Sequence, residues 1–233
     1  MRSRFIRPTL LTWIALTGTL SIIAATAGFL VAYYPALPDI LPVHFNRLNR
    51  PNGWQYKTYA RVLMPVLVQM VMSLTFAAVG ALLLTREHTA GEATADDMVA
   101  ASVSTEAISL VALIWVAFQA YAGAALVYMW ERERGGLGNS YSLLMSIGIL
   151  LSVGVALRAR KRLGRPAPRE FVASHWRLGQ LYRNPSDPAL FVPTRDGSRW
   201  TLNFGRPVAA ALIGFVLLVG IVGPTLVLGL LLR

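Results

Sequence analysis

Residues 9–34, "TLLTWIALTGTLSIIAATAGFLVAYY", determine the class of protein, because they form a long apolar run without a charged side chain. A helix that crosses the roughly 30 Å hydrocarbon core of a bilayer needs about 20 such residues, since its backbone polar groups must pair internally. The basic start "MRSRFIR" resembles that of a secretory signal, but the apolar run exceeds the roughly 7–15 residues of a signal. The segment is therefore predicted to be an uncleaved transmembrane helix.

Four more runs have the length and composition of spanning helices: 61–85, 105–129, 141–158 and 207–232. Charged residues make up only 14% of the chain, against about 25% in an average soluble domain. The absence of cysteine excludes disulfides, thiolate metal sites and a catalytic thiol. These observations predict an all-α integral membrane protein with about five transmembrane helices and a small cytoplasmic β-hairpin module.

The distribution of Lys and Arg predicts the orientation in the membrane. With the N-terminus in the cytoplasm, 15 basic residues fall inside and 7 outside, and "RARKRLGRPAPR" after the fourth run dominates the difference. The prediction is a multi-pass protein of the bacterial cytoplasmic (inner) membrane, with its C-terminus outside. The net charge of +11 then follows from topology, so nucleic-acid binding is not expected.

Polar residues within the predicted spans are few. Gln69, Gln119, Ser73 and Thr75 are the main ones, and Glu106 falls at the end of the third run. Glutamine in a membrane helix is expected to hydrogen-bond to a neighbouring helix. Charged residues inside spans are typical of pumps and channels, so their scarcity argues against an ion-coupled transporter.

The runs divide the chain into five parts. These are a two-helix unit over 1–85 with a motif loop at 33–60, an acidic cytoplasmic linker over 86–104, a helix pair over 105–158, a basic cytoplasmic segment with a hairpin over 159–206, and a C-terminal helix over 207–233. Charge alone suggests that the acidic linker contacts the basic stretch 158–169.

The basic segment carries two predicted surfaces. Arginine and lysine beside a membrane attract anionic lipid, and the predicted contacts are Arg158, Arg160, Lys161, Arg162 and Arg165. "LFVPTR" and "SRWTLNF" flank Asp196-Gly197, which predicts a β-hairpin. Its aromatic residues and those before it are expected to lie at the membrane surface: Trp176, Tyr182, Phe191, Trp200 and Phe204.

The extracytoplasmic loop holds the densest motif. "DILPVHFN" is extended in character, because Pro42 disfavours helix at Leu41. Residues 49–53, "NRPNG", have the composition of a turn. The candidate recognition residues of this loop are Pro42, His44, Phe45, Asn46, Pro51, Gly53, Trp54 and Lys57.

These loop residues, in this order, resemble the "P-x-H-F-N … G-x-P-D-G-W-x-x-K" segment of a domain of unknown function that occurs in SdpI-type bacterial immunity and signalling proteins. Asn49 and Asn52 replace the Gly and Asp of that pattern. The best-known member of the family protects a sporulating cell from its own secreted killing peptide. The resemblance implies that the loop meets a secreted peptide or the membrane surface that bears the peptide.

The cytoplasmic segment resembles a small uncharacterised module that is attached to such proteins. The resemblance implies no chemistry. It rests on Trp176, Gly179, Tyr182, Asn184, Pro185, Asp187, Pro188, Phe191, Val192, Pro193, Arg195, Gly197 and residues 200–204, "WTLNF".

The role of His44 has two interpretations. It can cap a turn together with Asn46, Trp54 and Lys57, or it can belong to a recognition surface for a peptide or partner. A metal site is not expected, because zinc needs three or four ligands and the other histidines lie across the membrane in the predicted topology. No cofactor is expected.

The sequence therefore predicts a non-enzymatic membrane protein. It contains no nucleophile elbow, phosphate loop, His-Glu-x-x-His motif or paired carboxylates within a span. The expected partners are the lipid bilayer and either a secreted peptide or other membrane subunits. The first function is an SdpI-like immunity or signalling role, and the alternative is an accessory structural subunit of a larger membrane complex.

Overall fold

The computed structural model describes residues 6–48, 50–84, 95–132, 136–163, 171–187, 189, 191–195, 200–207, 209–210 and 213–214. The predicted fifth span, 207–232, lies almost entirely outside the described residues. So do residues 85–94 of the predicted acidic linker and the turn of the predicted hairpin at 196–199.

Five α-helices dominate the described chain: α1 (Leu10–Tyr33), α2 (Tyr59–Val62), α3 (Met64–Leu84), α4 (Ala95–Glu131) and α5 (Asn139–Leu163). Within the described residues, four segments are long and apolar enough to cross a membrane: Leu10–Ala36, Met64–Leu84, Val99–Glu131 and Asn139–Leu163. They confirm four of the predicted spans by length and composition and are consistent with a multi-pass membrane protein.

Helix boundaries follow from local chemistry. Thr9 caps α1, because its hydroxyl accepts a hydrogen bond from the backbone N–H of Thr12. Thr58 caps α2 in the same way, through the N–H of Arg61. Pro65 has no backbone N–H to donate to the preceding turn, which separates α2 from α3 at Leu63.

Helix α4 is the centre of the bundle and packs against α1, α3 and α5. It is longer than the third run predicted, because residues 95–104 are helical and not part of a linker. At one end of the bundle the N–H of Ile6 donates to the carbonyl of Leu84 at 3.2 Å, and both side chains pack against Ala101.

The bundle buries a few polar side chains among apolar ones and exposes large apolar side chains. Gln69 is fully buried, and its Nε2 donates to Thr26 Oγ1 of α1 at 3.2 Å and to the Val116 carbonyl of α4 at 2.9 Å. This confirms the predicted cross-helix hydrogen bonds of that glutamine. Large apolar side chains instead face outward, among them Leu11, Trp13, Leu20, Leu74, Leu150 and Leu157. Such an arrangement suits a lipid solvent.

Three two-stranded antiparallel sheets complete the described part of the fold. The first pairs β1 (Ile40–Phe45) with β2 (Pro51–Tyr56), between α1 and α2. The second pairs β3 (Trp176–Arg177) with β4 (Leu181–Tyr182), and the third pairs β5 (Phe191–Pro193) with β6 (Trp200–Leu202). The third sheet confirms the strands predicted around Asp196-Gly197, whereas the first two sheets were not predicted as hairpins.

Candidate recognition surface

The motif loop is a β-hairpin whose turn lies earlier than the sequence predicts. Asn46 closes that turn, since its Oδ1 accepts from the N–H of Leu48 at 2.9 Å and of Arg50 at 3.0 Å. Its own N–H donates to the Arg50 carbonyl at 2.9 Å. The turn predicted over 49–53 is therefore wrong in its position, because Pro51, Asn52 and Gly53 already belong to β2.

The strand register places His44 opposite Gly53, next to an irregularity in β1. A Cβ on Gly53 would lie 2.9 Å from the Cβ of His44, so the site requires a residue without a side chain. The imidazole Nδ1 of His44 is hydrogen-bonded to Oδ1 of Asn52. His44 and Asn52 thus form a polar pair at the outer side of the hairpin.

One side of the hairpin is buried against the helices. Leu41 is fully buried, and Val43 and Phe45 pack against the same apolar cluster as Leu30 and Val66. The indole Nε1 of Trp130, near the end of α4, donates to the Pro42 carbonyl at 2.9 Å. Apolar contact and this hydrogen bond fix the hairpin to the ends of α1, α3 and α4.

Lys57 anchors the base of the hairpin. Its Nζ donates to the Leu37 carbonyl at 2.6 Å, lies 3.6 Å from a carboxylate oxygen of Asp39 and stands 5.2 Å from the centre of the Tyr34 ring. The Tyr34 ring stacks on Tyr59, with centroids 3.9 Å apart. Lys57 is largely buried by these contacts, so the structure assigns it a structural role.

The opposite side of the hairpin is exposed and is called here the hairpin face. Alternation and cross-strand pairing place Ile40, Pro42, Trp54 and Tyr56 together, because side chains two apart in a strand share a face. The exposed His44 follows the irregularity in β1 and joins this face through its hydrogen bond to Asn52. Trp54 is 58% exposed and Tyr56 is 73% exposed. The members of the hairpin face are Ile40, Pro42, His44, Asn52, Trp54 and Tyr56.

Of the eight predicted recognition residues, the hairpin face holds Pro42, His44 and Trp54. The others build the hairpin. Phe45 points to the core, Asn46 closes the turn, Pro51 begins β2, Gly53 gives His44 room and Lys57 holds the base. The predicted set omitted Ile40, Asn52 and Tyr56, which two-residue alternation from Pro42 and Trp54 identifies once the strands are known.

At the other end of the bundle, Glu106 of α4 joins two of the predicted lipid-binding arginines. Its Oε1 accepts from Nη1 of Arg158 at 2.7 Å and of Arg162 at 2.6 Å. Among the described side chains, which do not include Glu87, Glu92, Asp96 and Asp97, the acidic group that contacts the basic stretch is Glu106, in the body of α4 and not at a helix end. Arg160 and Lys161 are exposed, and Arg165 lies outside the described residues.

The C-terminal segment forms a small module held together by Asn203, which is fully buried. Asn203 Nδ2 donates to the carbonyls of Asn184, Asp187 and Ala189, and its Oδ1 accepts from the N–H groups of Asn184 and Gly205. Gly205 must remain small, because a Cβ there would lie 2.4 Å from the Asn184 carbonyl carbon.

Three of the five predicted membrane-surface aromatics have half-buried side chains in the module, and the other two are described by their backbone. Trp176 and Tyr182 are half-buried and pack edge to face with centroids 5.3 Å apart, and Phe204 is also half-buried. The backbones of Phe191 and Trp200 lie in β5 and β6, and their side chains are outside the description. Trp176 and Tyr182 thus face one another within the module.

Two family models match parts of the chain. A domain of unknown function (DUF1648), which is found in SdpI-like membrane proteins, matches residues 21–68. A family of unknown function (DUF5808) matches residues 185–209. No curated protein and no solved structure matches the chain. The first match covers α1 from its middle, the whole β1–β2 hairpin and the start of α3.

Proposed function

We propose that this chain is a non-enzymatic protein of the bacterial inner membrane that recognises a secreted, membrane-active peptide through the hairpin face, in an SdpI-like immunity or signalling role. The N-terminus lies in the cytoplasm in this proposal, so the hairpin face is extracytoplasmic. The observation that carries the proposal is the exposure of Trp54 and Tyr56 on a hairpin that is otherwise anchored to three helices.

The composition of the hairpin face suits a peptide. Tryptophan and tyrosine contribute large contact areas and are enriched among the residues that dominate binding energy. The His44–Asn52 pair adds polar groups that select an orientation. Because Trp130 and Lys57 fix the hairpin in place, little ordering entropy is lost when a ligand binds.

The test is survival of the source bacterium exposed to its own secreted-peptide fraction. A deletion strain is expected to be inhibited, and the wild-type chain to restore growth. Trp54→Ala and His44→Ala should abolish the rescue at equal membrane amounts. Trp13→Ala is the matched control, because Trp13 on α1 is 56% exposed, almost the same as Trp54. Full rescue by a Trp54→Ala, His44→Ala double variant would contradict peptide recognition by this face.

The second candidate, an accessory subunit of a membrane complex, is favoured by α5. This helix packs mainly on α4 and exposes apolar side chains along most of its length. Such a surface suits lipid or the helix of another subunit. Gentle detergent extraction followed by native mass spectrometry separates the candidates. Partners at a fixed ratio support the subunit, whereas a chain that runs alone supports the immunity role.

A further inference from the structure

The β3–β4 hairpin of the C-terminal module has two different faces. Trp176 pairs with Tyr182 on the face that packs within the module. Arg177 pairs with Leu181 on the other face, and both of these side chains are exposed. Because cross-strand partners share a face, this hairpin presents one apolar and one cationic group side by side.

The tip of this hairpin holds an apolar side chain in an unusual position. Leu178 has a φ of +49° and is 92% exposed, and Gly179 follows with a φ of +72°. A residue with a Cβ rarely adopts the left-handed conformation, and leucine gains nothing from full contact with water. Leu178 combines the left-handed backbone with an exposed apolar side chain. This combination indicates that its side chain binds a partner outside the module.

Further apolar and basic side chains surround the tip. Leu181 of β4 is exposed, and so are the apolar residues Phe171 and Val172, which lie shortly before β3. The guanidinium of Arg195 lies 4.6 Å from the centre of the Phe171 ring. Arg177 and Arg183 are exposed as well. Apolar groups interleaved with arginine are typical of segments that lie in the headgroup region of an anionic bilayer.

We propose that Leu178 is the tip of a membrane anchor, which binds the module to the anionic bilayer surface that α5 has just left. The anchor consists of Phe171, Val172, Arg177, Leu178, Leu181 and Arg183. Helix α5 ends at Leu163 and the module begins eight residues later at Phe171. Eight extended residues reach about 28 Å at most, so Phe171 lies within that distance of the end of α5. The last turn of α5 is itself basic, so anionic lipid gathers at the same surface.

This anchor differs from the aromatic one that the sequence predicts. Trp176 and Tyr182 are half-buried and pack on each other. Phe171 stacks beside Trp176 with centroids 6.5 Å apart but stays exposed, as do Val172, Leu178 and Leu181, so these four apolar side chains meet the lipid. The proposal is independent of the hairpin face. That face lies near the start of α5, whereas the anchor follows the last turn of α5.

The absence of cysteine allows a direct test with single labels on the full chain. Gln180→Cys, labelled with a polarity-sensitive fluorophore, reports from beside Leu178, and Ser186→Cys on the 184–189 turn is the control. The protein is placed in nanodiscs of phosphatidylcholine with or without phosphatidylglycerol. The label at 180 is expected to be quenched by headgroup-region nitroxide lipid and shielded from iodide when phosphatidylglycerol is present, unlike the label at 186.

Leu178→Asn separates anchoring from folding. Asparagine tolerates the left-handed conformation, so the turn is retained while the apolar tip is removed. In the Leu178→Asn variant, quenching of the label at 180 by nitroxide lipid should fall several-fold. In an Arg177→Gln, Arg183→Gln double variant, the quenching should no longer depend on phosphatidylglycerol. Equal iodide quenching at 180 and 186 in anionic nanodiscs would overturn the proposal, as would unchanged lipid quenching in Leu178→Asn.

Discussion

His44 and Gly53 face each other across the β1–β2 hairpin so closely that a Cβ on the glycine would lie 2.9 Å from the Cβ of His44. Gly53→Ala is therefore expected to lower the free energy of unfolding by about 1–3 kcal/mol, the range for overpacking. Thermal unfolding in detergent measures the change. Gly28→Ala is the control, because nothing lies within 4 Å of a Cβ there. Equal midpoints for the two variants would contradict the close approach.

Trp130→Phe should loosen the hairpin from the bundle while it preserves most of the apolar packing. The change removes the Nε1 donor to the Pro42 carbonyl, which is expected to cost about 1 kcal/mol. Hydrogen exchange of the backbone amides in 40–45 should become faster. Trp54→Phe, on the exposed face, serves as the control and should leave exchange unchanged. Identical exchange in Trp130→Phe and the wild type would argue against this anchor.

Glu106→Gln should weaken the junction between α4 and α5. The Glu106 side chain is 4% exposed, whereas Arg158 and Arg162 are 48% and 40% exposed. Solvent therefore screens part of the interaction, and the expected loss is about 1–2 kcal/mol, between the values for a surface pair and a buried pair. Thermal unfolding measures this loss. Arg160→Gln is the control, because Arg160 lies between Arg158 and Arg162 on α5 but outside their ion pairs with Glu106.

A double-mutant cycle tests whether the three charged groups act together. If they do, Glu106→Gln should add little to an Arg158→Gln, Arg162→Gln background, because the partners of the carboxylate are already absent. Fully additive losses would show that Glu106 stabilises the bundle by other means.

Asn203→Ala should disrupt the C-terminal module without unfolding the helices. It removes five hydrogen bonds from a fully buried amide and leaves backbone groups of the 184–189 turn without partners. The expected loss is about 3 kcal/mol. Limited trypsin digestion of the full chain should then cut rapidly at Arg177 and Arg183. Ser186→Ala, at an exposed position of the same turn, should retain the wild-type digestion pattern.

The four described spans could be predicted from sequence because apolar length is the signal that a bilayer imposes. Their ends could not. Residues 95–104 are small and moderately polar, so hydropathy alone hides the first turns of α4. The last turns of α5 are basic, but Arg and Lys are good helix formers, and the helix continues to Leu163.

The candidate site was predicted in location and only partly in detail. Pro51, Asn52 and Gly53 have the composition of a turn, but Asn46 closes the turn earlier and Gly53 serves a close approach within a strand. Both facts depend on which residue lies across the hairpin, which local propensity does not encode. The ion pairs of Glu106 were missed for the same reason, since they join residues 52 and 56 positions apart.

The uninterrupted course of α4 fixes a distance. From Glu106, bound to the arginines of α5, to Trp130, bound to the β1–β2 hairpin, it rises about 36 Å at 1.5 Å per residue. The hydrocarbon core of a bilayer is about 30 Å thick, so a bilayer around α4 would place both polar contacts near its lipid–water boundaries. A bilayer much thinner or thicker than this rise is therefore expected to strain the contacts at the two ends of α4.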